Sequence, residues 1–169
     1  MPITCDFLVI GSGIAGLSFA LEAAAHGDVL VVTKRAREES NTKYAQGGIA
    51  AVLAESDSFD AHIADTLVAG AGLSRERAVE ICVKDGPASI RRLMEIGAKF
   101  DVAHDRAPDA DRDVSVRDLD LHLEGGHSAR RVAHAADMTG REVERALVAA
   151  VSANPRVRVL EEHMAIDLI

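Results

Sequence analysis

Residues 5 to 10, CDFLVI, run straight into GSGIAG and then LSFALEAAAHG. An apolar run, a glycine turn and apolar positions at helical spacing read as a buried strand, a tight turn and a packed helix. Gly11 permits the turn, Gly13 lets backbone approach a pyrophosphate with no Cβ in the way, and Gly16 lets the helix lie close on the strand. Ser12, Ile14 and Ala15 complete a loop whose helix N-terminus offers free N–H groups and partial positive charge to phosphates. DVLVVT at 28 to 33 supplies the second strand of a βαβ opening. The same glycines could form a turn with no ligand, but the strand before and the helix after favour a dinucleotide site. The fold expected is α/β with a parallel sheet, Rossmann-like.

Which dinucleotide is left open by the motif. The acid expected about 20 residues on, at the end of the second strand, is absent. Thr33, Lys34 and Arg35 stand there instead. A lysine suits a 2′-phosphate, and it equally suits a solvated position beside an adenosine.

Composition narrows the partner. With 27 acids against 19 bases the formal charge is -8, which speaks against nucleic acid or an anionic membrane surface. A small ligand fits better. At 169 residues and 48% hydrophobic content the chain can bury a real core as one domain. Cys5 and Cys82 are too isolated for a zinc knuckle or a disulfide framework, so no metal site is expected and both thiols are expected reduced. No apolar run approaches a membrane span, and the N-terminus begins a strand rather than an export signal. The expectation is a cytoplasmic protein.

SNTKYAQGGIAAV, residues 40 to 52, is polar, then glycine-paired, then apolar. It reads either as a loop pressed against a ligand or as an ordinary Asx-type turn. From 60 to 99 the chain is helical in character. DAHIADTLVAGAG stops at Gly70 and Gly72, Ser74 is placed to cap SRERAVEICVKDG, and Pro87 opens a further helix, PASIRRLMEIG. His62 is expected to be a surface or packing residue rather than a ligand. Residues 101 to 118, DVAHDRAPDADRDVSVRD, read as an exposed polar excursion of weak order within the domain, with His104 solvated.

HLEGGHSARR, residues 122 to 131, gathers groups able to grip a small ligand, and its acid and arginines could equally form solvated ion pairs. Thr139 and Glu142 form a capping-box pattern for a helix that stops before Asn154-Pro155. Strand-like VRVLE at 157 to 161 and MAIDLI at 164 to 169 follow.

GSGIAG, then TK, then SNTKYAQGGIAAV resembles the flavoprotein family that contains the succinate dehydrogenase and fumarate reductase flavoprotein subunits and the L-aspartate oxidases. The resemblance implies FAD rather than NADP. It assigns to that cofactor Gly11, Ser12, Gly13, Ile14, Ala15 and Gly16, together with Lys34, Asn41, Thr42, Lys43, Tyr44, Ala45, Gln46, Gly47 and Gly48. Members that tether flavin covalently use the His of a Ser-His-Thr sequence, whereas this chain has Ser40-Asn41-Thr42. Asn lacks a nucleophilic ring nitrogen, so the FAD is expected to be non-covalent.

EGGHSARRVAHAADMTG is similar to the stretch that separates the amino-acid oxidases of the family from their respiratory relatives. Succinate and aspartate differ by one ammonium group, so a negative charge beside that cation selects aspartate. The resemblance assigns this to Glu124 as the residue that orients substrate, with His127 as a weaker polar contact and Arg130 and Arg131 holding the loop. The implied reaction is oxidation of L-aspartate to iminoaspartate, with oxygen or fumarate as electron acceptor and quinolinate synthase as consumer of the imine, the first step of NAD biosynthesis. Family members are much longer. The chain is therefore expected to be the N-terminal part of a FAD-binding domain, truncated before the capping domain, and catalytically silent alone. The alternatives are a respiratory-type dicarboxylate flavoprotein and a non-catalytic nucleotide-binding fragment.

Overall fold

The structure, a computed structural model, describes residues 2–106 and 113–167. The chain divides into two compact units, one built from residues 1–45 and 140–169, the other from residues 46–139.

The first unit opens as the glycine pattern predicts. Strand β1 (Phe7–Ile10) leads into helix α1 (Ile14–Ala23), and strand β2 (Val29–Val32) follows. Helix α4 (Thr139–Ala153) and strand β6 (Val157–Leu160) return from the far end of the chain. The sheet is parallel, in the order β1-β2-β6, with Val9 beside Val31 and Val31 beside Val159. Leu17, Ala20, Ala23 and Ala24 bury one stripe of α1, and the last three of these join Val9, Val29 and Val31 in a core cluster. Small alanines at helical spacing let α1 lie close on the strands.

Two readings of apolar runs are corrected here. β1 is buried on one face only, since Leu8 and Ile10 are 51% and 57% exposed; its period-two alternation exposes every second side chain. Residues 164–167 of the second strand-like piece form no strand, with Met164 and Ile166 exposed, while 168 and 169 lie outside the described residues. Alternation makes a strand only where a partner edge is paired.

The second unit carries an antiparallel sheet, in the order β3-β5-β4, from strands β3 (Ile49–Ala50), β4 (Leu121–His122) and β5 (Val132–Ala133). Helix α2 (Phe59–Ala69) packs against helix α3 (Glu76–Glu95). Ser58 caps α2 by accepting from the Ala61 N–H at 3.1 Å. α3 begins one residue beyond the expected cap, after Arg75, and runs unbroken through Pro87. Its buried stripe of Val79, Val83, Pro87, Ile90 and Leu93 holds helical spacing across the proline.

The polar excursion 101–118 is tied where it is described. Val102 bridges Leu119, and the Asp118 carboxylate accepts from both the N–H and the hydroxyl of Ser115 at 2.8 Å. His104 is exposed, and residues 107–112 lie outside the described residues. Among the described residues no helix is long and apolar enough to cross a membrane.

Candidate functional site

In the first unit the loop from β1 to α1 forms one wall of an open cavity of about 680 Å³. Gly11 turns the chain with φ +106°, a value that favours glycine. Gly13 then stands at the cap position of α1 with no side-chain cap, and the first turn carries no acid. A helix start without a capping side chain or an acid keeps its positive end available to an anion. Thr42 braces this start from the facing loop, its Oγ1 accepting from the Ile14 N–H at 3.0 Å. Ser12 is buried, its hydroxyl 3.0 Å from that of Thr33. Lys34, Asn41, Thr42 and Tyr44 complete the rim.

The glycines of the motif separate into two kinds. A Cβ at Gly16 would stand 2.1 Å from the Gly11 carbonyl oxygen, so this glycine serves the fold. A Cβ at Gly13 would meet nothing closer than Thr42 Oγ1 at 3.5 Å, an ordinary contact, and the Gly13 backbone is extended. The chain's own packing does not require glycine at 13. Gly13 instead presents bare backbone to the cavity. The donor set of helix N–H groups with Lys34 on the rim fits a diphosphate-bearing cofactor.

The side chains of Lys43 and Tyr44 are committed to Glu39. Lys43 Nζ lies 3.2 Å from the Glu39 carboxylate, and the Tyr44 hydroxyl donates to it. These bonds, Tyr44's first, hold the Glu39 carboxyl below its usual range. Behind the same loop lies Glu144 of α4, only 2% exposed. Neither of its carboxylate oxygens nor the nearby buried Ser40 hydroxyl has a hydrogen-bond partner. Burial pushes the Glu144 carboxyl up.

The second unit carries the glycine-histidine loop. Glu124 is exposed at its tip, its carbonyl accepting from the His127 N–H at 3.2 Å across the turn made by Gly125 and Gly126. The root is rigid. Arg131, 0% exposed, grips Asp57 with Nε and Nη2 at 2.9 and 2.8 Å and Asp65 with Nη1 at 2.7 Å. Asp65 also accepts from the N–H and hydroxyl of Ser128 at 2.7 Å. The Ser128 bonds, with Arg131, lower the Asp65 carboxyl to about 2. His127 turns inward, its Nδ1 3.5 Å from Arg131 and its ring edge-on to buried His62 at 5.6 Å. Burial, then the Arg131 charge, pushes His62 down.

The structure thus gathers Gly11, Ser12, Gly13, Lys34, Asn41, Thr42 and Tyr44 around one cavity. Ile14, Ala15 and Gly16 form the first turn of α1 behind the loop, and Ala45 ends the short helix Thr42–Tyr44. Gln46, Gly47 and Gly48 belong to the second unit, as do Glu124 and His127. A Cβ at Gly48 would stand 2.3 Å from the Ala133 carbonyl oxygen, whereas one at Gly47 would meet nothing within 4 Å. Sequence reasoning missed Glu39, Glu144, Asp57 and Asp65. Glu39 pairs locally with Lys43 and Tyr44 and Asp57 stands just ahead of the Ser58 cap, whereas Asp65 acts across a long separation.

A family model described as FAD binding domain matches residues 6–169. L-aspartate oxidase 2-b, chloroplastic, of Nicotiana tabacum is 52% identical over 97% of this chain and 24% of its own length. The L-aspartate oxidase of Vibrio cholerae is 46% identical over 98% of this chain and 30% of its own. Among solved structures, an E. coli quinol fumarate reductase FrdA variant superposes with a TM-score of 0.82 at 27% identity, over 95% of this chain and 26% of that one. The Mycobacterium smegmatis Sdh1 complex gives 0.80 at 30%, over 94% and 27%. The chain spans about a quarter to a third of the length of these relatives. A helix start with no acid in its first turn and no side chain on its cap residue, a Gly13 that lines the cavity and a match over nearly all residues lead to one assignment: the chain belongs to the FAD binding domain family, with FAD as its cofactor.

Proposed function

We propose that the chain is the FAD-binding portion of an enzyme that oxidises L-aspartate to iminoaspartate, with oxygen or fumarate as the final acceptor. When bound, FAD supplies the two-electron acceptor. The observation that carries the reading is an identity of 46% and 52% to L-aspartate oxidases, against 27% and 30% to respiratory flavoproteins. Gly11, Gly13, Lys34, Asn41, Thr42 and Tyr44, which line one cavity, hold the cofactor. Asn41 stands where a covalent flavin link would need an imidazole, so the cofactor is held without a covalent bond.

Glu124 selects the substrate. An exposed carboxylate on a loop whose root is fixed by Arg131 presents a negative charge to the ammonium group that distinguishes aspartate from succinate. Arg131 itself is spent on Asp57 and Asp65 and is not free to clamp a substrate carboxylate. The 169 residues alone are expected to bind FAD without turning over aspartate.

A flavin absorbance scan of the purified chain, followed by an aspartate-dependent peroxide assay, tests this. Flavin absorbance without peroxide is expected; peroxide production from the chain alone would overturn the expectation that it is inactive by itself. In the full-length enzyme Glu124→Gln is expected to raise KM for aspartate about tenfold or more, a loss of roughly 1.4 kcal/mol, and to narrow discrimination against succinate. An unchanged KM would remove Glu124 from the site. A respiratory-type dicarboxylate flavoprotein is the second reading, favoured by the TM-scores of 0.80 and 0.82, and it predicts that succinate rather than aspartate perturbs the flavin spectrum.

A further inference from the structure

We propose that Asp120, His122 and His134 form a binding site for a borderline divalent metal ion, zinc foremost, on one face of the β4–β5 ribbon. The register creates the cluster. Leu121 pairs with Ala133 and His122 with Val132, which sets Asp120 opposite His134, and side chains two apart on a strand share a face. One donor atom from each residue lies within 4.8 Å of the other two. Asp120 Oδ2 is 3.6 Å from His122 Nε2 and 3.6 Å from His134 Nε2. That separation is too long for a hydrogen bond. It is close to the edge, about 3.3–3.6 Å, of a tetrahedron of ligands about 2.0–2.2 Å from a central ion. The two rings stack with centroids 3.6 Å apart and planes 29° from parallel.

A second observation is independent of those distances. His134 Nε2 is buried and has no hydrogen-bond partner, although buried polar atoms ordinarily find one. The other ring nitrogen, Nδ1, lies 3.0 Å from Asp101 Oδ2, which also accepts from the Ala136 N–H at 2.8 Å. With Nδ1–H donating to a carboxylate fixed by backbone, the Nε2 lone pair is left facing Asp120, the outer-shell arrangement that orients a metal-binding imidazole. His134 has 12% of its side chain exposed, while His122 and Asp120 have 52% and 46%. An ion can therefore enter from solvent and keep coordination positions open. Two imidazoles and one carboxylate favour zinc, cobalt or nickel over magnesium or calcium. An ion here would tie β4 to β5 at the root of the loop that carries Glu124.

The sequence expectation of no metal looked for paired thiols. These ligands sit on either side of the glycine loop, and only strand pairing brings them together.

Calorimetric titration of the chelator-treated chain with zinc chloride near neutral pH tests the site. One equivalent is expected to bind, with Kd weakened at least about tenfold by His122→Ala or Asp120→Asn and about 10–100-fold by Asp101→Asn. His104→Ala, an exposed histidine outside the cluster, is expected to leave Kd unchanged. His122 is half-exposed, so its variant should retain the wild-type circular dichroism spectrum. Zinc is also expected to shift the imidazole NMR signals of His122 and His134 ahead of those of the other histidines. No binding, binding indifferent to His122→Ala and Asp120→Asn, or equal loss in His104→Ala would overturn the proposal.

Discussion

At position 13 the chain forgoes a side chain that its own packing would accept, while at position 16 it has no such choice. The two glycines sit in one motif, yet a Cβ would stand 3.5 Å from its nearest neighbour at Gly13 and 2.1 Å at Gly16. Their alanine variants should therefore fail differently. Gly16→Ala pushes α1 off β1 and is expected to cost about 1–3 kcal/mol or more in stability. Gly13→Ala is expected to melt close to wild type but to bind FAD at least about tenfold more weakly. Thermal denaturation and flavin fluorescence titration on both variants separate the cases. Equal destabilisation by the two would show that Gly13 serves the fold after all, and unchanged FAD affinity in Gly13→Ala would empty the cradle of its purpose. The motif was readable in the sequence because its parts are contiguous: strand, turn and helix start lie within residues 7–23.

Between elements, what the sequence revealed depended on range. Pro87 reads as a helix start because proline punctuates a helix locally, at a cost of about 3 kcal/mol, yet it lies inside α3. The buried stripe continues across it, from Val79 and Val83 to Ile90 and Leu93, and packing along that stripe outweighs the missing hydrogen bond. The inverse holds for Arg131. Its role in holding the loop was legible, but its partners were not, because Asp57 and Asp65 are 74 and 66 residues away in the chain. Arg131 thereby joins the end of the glycine-histidine loop to α2 and to the segment before it. With side chains of Arg131 and Asp57 only 0% and 1% exposed, removing one partner leaves a buried charge uncompensated. Arg131→Met is expected to lower stability by about 3–5 kcal/mol in urea denaturation. Adding Asp57→Asn should recover part of that loss. A wild-type midpoint in Arg131→Met would mean that the triad is solvated and holds nothing.

Across the whole molecule, the two units carry carboxyl groups whose environments push in opposite directions, and each leaves its own mark on stability against pH. In the second unit Asp65 is lowered from 3.8 to about 2, by Ser128 first and then Arg131. The native state there binds fewer protons than the unfolded chain, so this contribution is present above the unfolded value and is lost as pH falls from about 4 towards 2. In the first unit Glu144 is raised by burial above its ordinary 4.5. The native state there holds its proton longer than the unfolded chain does, so the contribution is full below the unfolded value and fades as pH rises through the folded one. Neither effect was legible from sequence. Glu144 follows Val143 and precedes Ala146 and Leu147, all buried, at a position where the helical period alone does not separate a flank from a core. Glu144→Gln cannot ionise. Relative to wild type, its stability is expected to rise as pH increases above 4.5, to level off once the folded-state carboxyl ionises, and to show no such trend below 4.5. Denaturant titrations at a series of pH values read this directly. A difference between variant and wild type that stays constant with pH would mean that Glu144 ionises as freely in the folded chain as in the unfolded one, and the buried, unpartnered acid behind Ser40 would have to be abandoned.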